Sequence, residues 1–189
     1  MSTVFIDALA WWPRTPGAPR PLPTLLAANE RRRAPESVLL ALALAEEAVR
    51  QAGLEASAPA SVFTSAHGDL AIVDALCRTL ADDPLMLSPT RFHHSVHNAA
   101  SGYWAIGAHN PAPSTALAGF EHSFAAGWLE AVAQCLADQR PVLLVGCDTE
   151  ARGPLASVNT SRGALGVALV MRPEPGAATR WQVQTGLLP

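Results

Sequence analysis

Cysteine is scarce in this sequence and is not spaced for its usual structural uses. The 189 residues hold three, Cys77, Cys135 and Cys147. Their number is odd, their surroundings are apolar and no CxxC pair occurs, which speaks against a disulfide framework and a zinc site. Positive charge is equally thin. Thirteen Lys and Arg stand against 16 Asp and Glu, for a net charge of −3. A nucleic-acid surface needs concentrated basic charge, and that class is set aside. The one basic run, Arg31-Arg32-Arg33, is flanked by Glu30 and Glu36 and reads as a solvated segment. Long hydrophobic runs are missing too. Val38 to Ala45 is too short for a membrane span. The N-terminus has no basic region and carries an early Asp7, so no secretory signal is expected. These absences predict a reduced, cytoplasmic protein.

What is present is a dense alternation of short elements, 49% hydrophobic. Thr3 to Ala8 reads as a first strand, followed by a proline-rich loop from Pro13 to Pro23. Pro35, Glu36 and Ser37 open a helix that runs to about Gln51, with Gly53 as its stop. Its first half is apolar nearly all round, which predicts deep burial. Ser61 to Ala66 is a second strand and Leu70 to Leu80 a helix. Ser88-Pro89-Thr90 starts another helix, continuing from Phe92 to about Ala108 with an interruption near Ser95 to Asn98. Ser114 to Ala118 is a third strand, Phe120 to Ala137 a long helix, and Val142 to Gly146 an apolar strand of the kind covered on both faces. Gly163 to Met171 and Trp181 to Gln184 complete the set. They lack room for a helix between them and are expected to pair as an antiparallel edge hairpin. Strands alternating with helices predict an α/β fold: one domain over residues 1–189, with a mixed sheet of five or more strands and helices on both faces.

Three constellations bear on chemistry. In Arg91-Phe92-His93-His94-Ser95-Val96-His97-Asn98, His93 and His97 are four apart and would share a helix face. His109, His122 or Asp148 could add a third zinc ligand. Histidines packed against neighbouring helices are the simpler reading, and no metal or cofactor is expected. Second, Thr115 to Ser123 reads as strand, sharp turn and helix start, the arrangement that exposes a nucleophile where a helix dipole acidifies it. No residue from Gly119 to Ser123 is Cys. Ser123 follows His122, but G-x-S-x-G is not formed. Third, Cys147 follows a buried strand, where nothing lowers the pKa of its thiol.

In this order the pieces resemble the N-terminal half of β-ketoacyl synthases. The residues that carry the likeness are Ala45 to Leu54, ending in Ala52-Gly53-Leu54, and Ser88 to Gly102 with Pro89, Phe92 and Asn98. They continue with Ser114 to Ala131, Val142 to Glu150 and Ser161 to Val170. The resemblance implies a thiolase-like fold and places the family's nucleophilic cysteine at about Glu121, with Phe120, His122 and Ser123 as neighbours. It also implies that the two histidines of decarboxylation and condensation belong to a second half that this sequence does not include. Among ketosynthase-like proteins the pattern is similar to the short, chain-length-factor-like members of type II fatty-acid, polyketide and aryl polyene systems.

The resemblance therefore implies a non-catalytic subunit that partners an active, full-length β-ketoacyl synthase, with no catalytic residue of its own. In thiolase-type folds the strand before the elbow lies at the dimer interface. Here that strand is Ser114-Thr115-Ala116-Leu117-Ala118, whose small side chains allow close approach. A homodimer is the other form this interface could take. An acyl carrier protein is a further expected partner, with Arg31-Arg32-Arg33 as a contact for its acidic surface. The alternative is a freestanding hydrolase or metal-dependent enzyme using His93, His94 and His97, or Ser123.

Overall fold

The structure, a computed structural model, describes residues 2–12, 20–157, 159 and 163–185. Most of the expected proline-rich loop (13–19), and Ser161 and Arg162 of the last motif quoted above, lie outside the described residues. Six strands form one sheet: β1 (Ser2–Trp12), β2 (Ala60–Thr64), β3 (Ser114–Leu117), β4 (Val142–Asp148), β5 (Leu165–Arg172) and β6 (Trp181–Thr185), in the order β3-β2-β4-β5-β1-β6. β2 runs parallel to both β3 and β4. These are the strands whose connections carry helices, as parallel pairing requires. β5 is antiparallel to β4, and β1 is antiparallel to both β5 and β6.

Helices α2 (Glu36–Gln51) and α5 (Ala99–Gly107) cover one face of the sheet and α6 (Ser123–Asp138) covers the other. The apolar first half of α2 is buried as expected, with Leu39, Leu40, Ala41 and Leu42 at 0% exposure. It meets the sheet on one side and α5 on the other, so no polar stripe is needed. Gly53 ends it at φ 65°. Leu54 N donates to Val49 O and Gly53 N to Arg50 O, the paired bonds that close a helix around a left-handed residue. Three further α-helices lie among the described residues: α1 (Ala28–Arg33), α3 (Leu70–Asp82) and α4 (Pro89–Ser95). Asp69 caps α3 by accepting from Ile72 N at 2.9 Å.

β1 changes face in mid-strand. Val4 and Ile6 pack toward α6, whereas Ala8 and Ala10 pack toward α2 and α5. A bulge between Ile6 and Ala8 shifts the register by one residue, which reverses the alternation. The residue at the bulge is Asp7, fully buried. Its carboxylate is held by the guanidinium Nε of Arg172, at the end of β5, and by the Thr179 hydroxyl at 2.8 Å.

The expected hairpin of the last two strands is not formed. β1 inserts between them, pairing Phe5 with Arg172 of β5 on one edge and with Gln182 of β6 on the other. The Asp7 clasp explains the arrangement, because it ties the connection 173–180 across β1. Arg180 N donates to Ile6 O at 2.8 Å and seats the start of β6 on the far side. β6 is still an edge strand, but its neighbour is β1.

Candidate functional site

The parallel strands β2, β3 and β4 end together at Thr64, Leu117 and Asp148. Ligands of open α/β sheets bind past such carboxyl ends. After β3 the chain turns sharply through Gly119 into a short 3-10 turn, Phe120–His122, and α6 begins at Ser123. Phe120 has φ 51°, in the left-handed region. The strain of the strand-to-helix turn therefore sits one residue before Glu121. Phe120, Glu121 and His122 are exposed.

Ser123 holds this turn. Its Oγ donates to Phe120 O at 2.6 Å and accepts from Gly119 N at 2.9 Å. Thr64 Oγ1 donates to Ser123 O at 2.8 Å and pins the start of α6 to the end of β2. Close approach of helix and sheet depends on two glycines. A Cβ on Gly127 would stand 2.8 Å from Thr64 Cγ2, and one on Gly146 would stand 2.8 Å from Phe124 Cδ2.

Beside the turn lies a cavity of about 290 Å³ with apolar walls from Trp11, Trp12, Phe124, Leu165 and Val167, and polar groups from Ser65 and Asp148. The polar groups form a fixed net. Asp148 Oδ1 accepts from Ser65 Oγ at 2.8 Å and from Ala66 N at 2.9 Å. Ser65 O lies 3.0 Å from His97 Nε2. A carbonyl accepts only, so His97 carries its proton on Nε2 there.

His93 and His97 do not share a helix face, because the helix breaks at the expected interruption near Ser95 to Asn98. α4 stops at Ser95 and Val96 is extended (φ −70°, ψ 140°), so His97 starts a separate segment aimed at Ser65. His94 is buried against Tyr103 Oη, 3.0 Å from its Nε2, and His93 is exposed. Burial, reinforced by the neighbouring charge of His93, pushes the pKa of His94 down, with Asp69 opposing. Among the described residues no three His, Cys, Asp or Glu side chains are grouped to hold a metal.

Two of the three thiols are far from acidified. Burial pushes Cys135 up to about 11. Cys147 is pushed up to about 12, by burial first and then by Asp148 and Asp69. Its Sγ faces inward, 3.8 Å from Ser37 O. At pKa 11 only about one thiol in ten thousand is ionised at neutral pH, and the thiolate is the reactive form. Cys77 sits exposed on α3, away from the turn. Of the expected interface residues, Ser114 to Leu117 form β3 at one end of the sheet order, and Ala118 follows it as an exposed residue. Spacing and composition did not point to Ser65, Thr64 or the aromatic pair Trp11-Trp12. The two tryptophans join the site because β1 is long enough to reach it.

An α/β sheet with a strained strand–turn–helix at its carboxyl ends is the frame of the thiolase-type condensing enzymes. The chain belongs to the β-ketoacyl synthase N-terminal domain family, which it matches over residues 8–187. Its structure is similar to a ketosynthase in complex with its chain length factor (ApeO and ApeC) from Xenorhabdus doucetiae. That likeness has 26% identity and TM-score 0.74, and covers 91% of this chain and 80% of that one. It is also similar in fold to the ishigamide ketosynthase/chain length factor, at 18% identity and TM-score 0.67, covering 82% of this chain and 48% of that one. A β-ketoacyl synthase from Burkholderia phymatum STM815 shares the fold at 11% identity and TM-score 0.71, covering 91% of this chain and 59% of that one. No curated protein matches the chain.

Proposed function

We propose that this chain is a non-catalytic, chain-length-factor-like subunit that partners an active β-ketoacyl synthase in type II fatty-acid, polyene or polyketide synthesis. One observation carries the reading. At the turn where a ketosynthase-like fold would present its thiol, the residues are Phe120, Glu121 and His122, and the nearby Ser123 hydroxyl is engaged on both sides. The raised pKa values of Cys135 and Cys147 leave neither as a substitute. Family membership and the likeness to a ketosynthase/chain length factor complex support it.

The pairing surface in this reading is β3. Its outer edge borders no other strand among the described residues, and an open edge is a template for another chain. On α6, Leu129 is exposed as well. An obligate pair of this kind buries more than about 2,000 Å².

The test uses the purified chain with acyl- and malonyl-loaded carrier proteins. No condensation product is expected from the chain alone, and none from Glu121→Cys, because a thiol without oriented acid–base groups is insufficient. Turnover above background by the chain alone overturns the proposal.

A further inference from the structure

Phe120 combines two features that each cost the isolated chain. It is a bulky residue at φ 51°, where its Cβ crowds the following carbonyl. Its side chain is also 73% exposed. The pose is fixed by its surroundings. Ser123 Oγ bonds both Phe120 O and Gly119 N, and His122 N donates to Gly119 O at 2.9 Å. The ring meets the edge of the His67 ring, centroids 5.7 Å apart, and His67 is itself exposed. Strain of this kind persists where the surroundings over-determine it, and it concentrates at functional positions. A rigidly held, outward aromatic is the type of residue that anchors an interface.

The neighbours of Phe120 decide what covers it. β3 ends three residues earlier, at Leu117, with its outer edge open. That edge presents backbone N–H and C=O groups which only another extended backbone satisfies in register. A lipid or small molecule could cover Phe120 and the exposed Leu129, but it would leave the strand edge unpaired. A polypeptide covers both.

We propose that Phe120 is the anchor of the subunit interface, inserting into an apolar pocket of a partner ketosynthase whose own strand pairs with β3. This rests on the pairing proposed above and adds which residue carries the association.

Strain and anchoring give opposite signs for one substitution. Glycine adopts a positive φ freely. Phe120→Gly is therefore expected to leave the melting temperature of the isolated chain unchanged, or to raise it by about 2–4 °C. The same change is expected to weaken association by about 30-fold or more, as loss of a central aromatic does. Phe120→Leu keeps an apolar side chain at the same place and is expected to bind within about tenfold of wild type. The experiment co-expresses the chain with a full-length β-ketoacyl synthase from the same source. It measures affinity by calorimetry and stoichiometry by light scattering, with Ala116→Glu as the control for the strand edge. Wild-type affinity in Phe120→Gly, with binding lost in Ala116→Glu, overturns the anchor and leaves the pairing intact. A marked fall in melting temperature for Phe120→Gly overturns it as well, because the ring is then a stabilising element of the folded chain. A wild-type chain that stays monomeric and binds no ketosynthase overturns both readings. Self-association that Phe120→Gly abolishes, without ketosynthase binding, overturns the choice of partner.

Discussion

Gly127 sits where α6 crosses the end of β2, and Gly127→Ala sets two effects against each other. A Cβ there would stand 2.8 Å from Thr64 Cγ2, 3.1 Å from Thr64 Cβ and 3.2 Å from Leu144 Cδ1. Alanine gains about 1 kcal/mol of helix propensity over glycine. Overpacking a well-filled core costs about 1–3 kcal/mol. The outcome depends on whether Thr64 can yield. Rotating its side chain breaks the 2.8 Å bond from Oγ1 to Ser123 O, and its Cβ is fixed by the strand. Relief must therefore come from lifting α6, which also shifts the turn at Phe120. The clash is expected to win by about 1 kcal/mol. That lowers the melting temperature by about 2–4 °C for a chain of this size. Urea unfolding followed by circular dichroism measures it, with an unchanged slope confirming that stability alone has moved. Thr64→Ser deletes Cγ2 and keeps the hydroxyl. Alone it is expected to cost about 1 kcal/mol for the lost buried methyl. Combined with Gly127→Ala, the two costs are expected not to add, and the double variant should match the less stable single or exceed it. Gly127→Ala at or above wild-type stability, or strictly additive losses, would refute the reasoning.

Four further outcomes are expected. Asp7→Ala leaves the largely buried Arg172 guanidinium without its carboxylate and costs about 3 kcal/mol in the same unfolding assay, whereas Asp7→Leu with Arg172→Met recovers much of the loss. The folded-state pKa of His94 lies below its ordinary 6.5. The unfolded chain then takes up a proton first as pH falls below about 6.5, so stability present above that pH is lost on acidification, and His94→Asn should make the loss from about pH 7 to pH 5 shallower. Ala116→Glu places a carboxylate in the half-buried strand β3 and is expected to abolish association, seen as a shift in light-scattering mass, while the chain stays folded. Metal analysis is expected to find no stoichiometric zinc, and a zinc lost in His93→Ala would contradict the separation of His93 from His97.

The elements that local chemistry determines were legible in the sequence. An apolar run ending in Gly53 could only be a buried helix with a left-handed stop, and Val142 to Val145 could only be a strand covered twice. The misread hairpin has one cause, which is competition from distant residues. Chain proximity suggested that β5 and β6 would pair. β1 has two edges to satisfy and a buried Asp7 that needs both Arg172 and Thr179, and those requirements are invisible within either strand. The four-residue spacing of His93 and His97 suggested a helix face. Ser65 O offers His97 a bond that continuing the helix would forfeit, and the chain opens at Val96.

The turn before α6 is the hardest case, and the most informative. Its motif was readable as strand, turn and helix, and counting along the family pattern reached Glu121. Nothing at Phe120 announced a positive φ, because glycine or asparagine usually marks such a position and here Gly119 precedes it. The conformation comes instead from Ser123, whose hydroxyl closes the turn from four residues downstream, and from Thr64, which holds Ser123 from another strand. Under the proposed non-catalytic role, a turn held this tightly serves something other than condensation chemistry. The edge of β3, three residues before Phe120, borders no other strand among the described residues, and in the proposed pairing it makes the turn part of a surface whose geometry matters to a second chain.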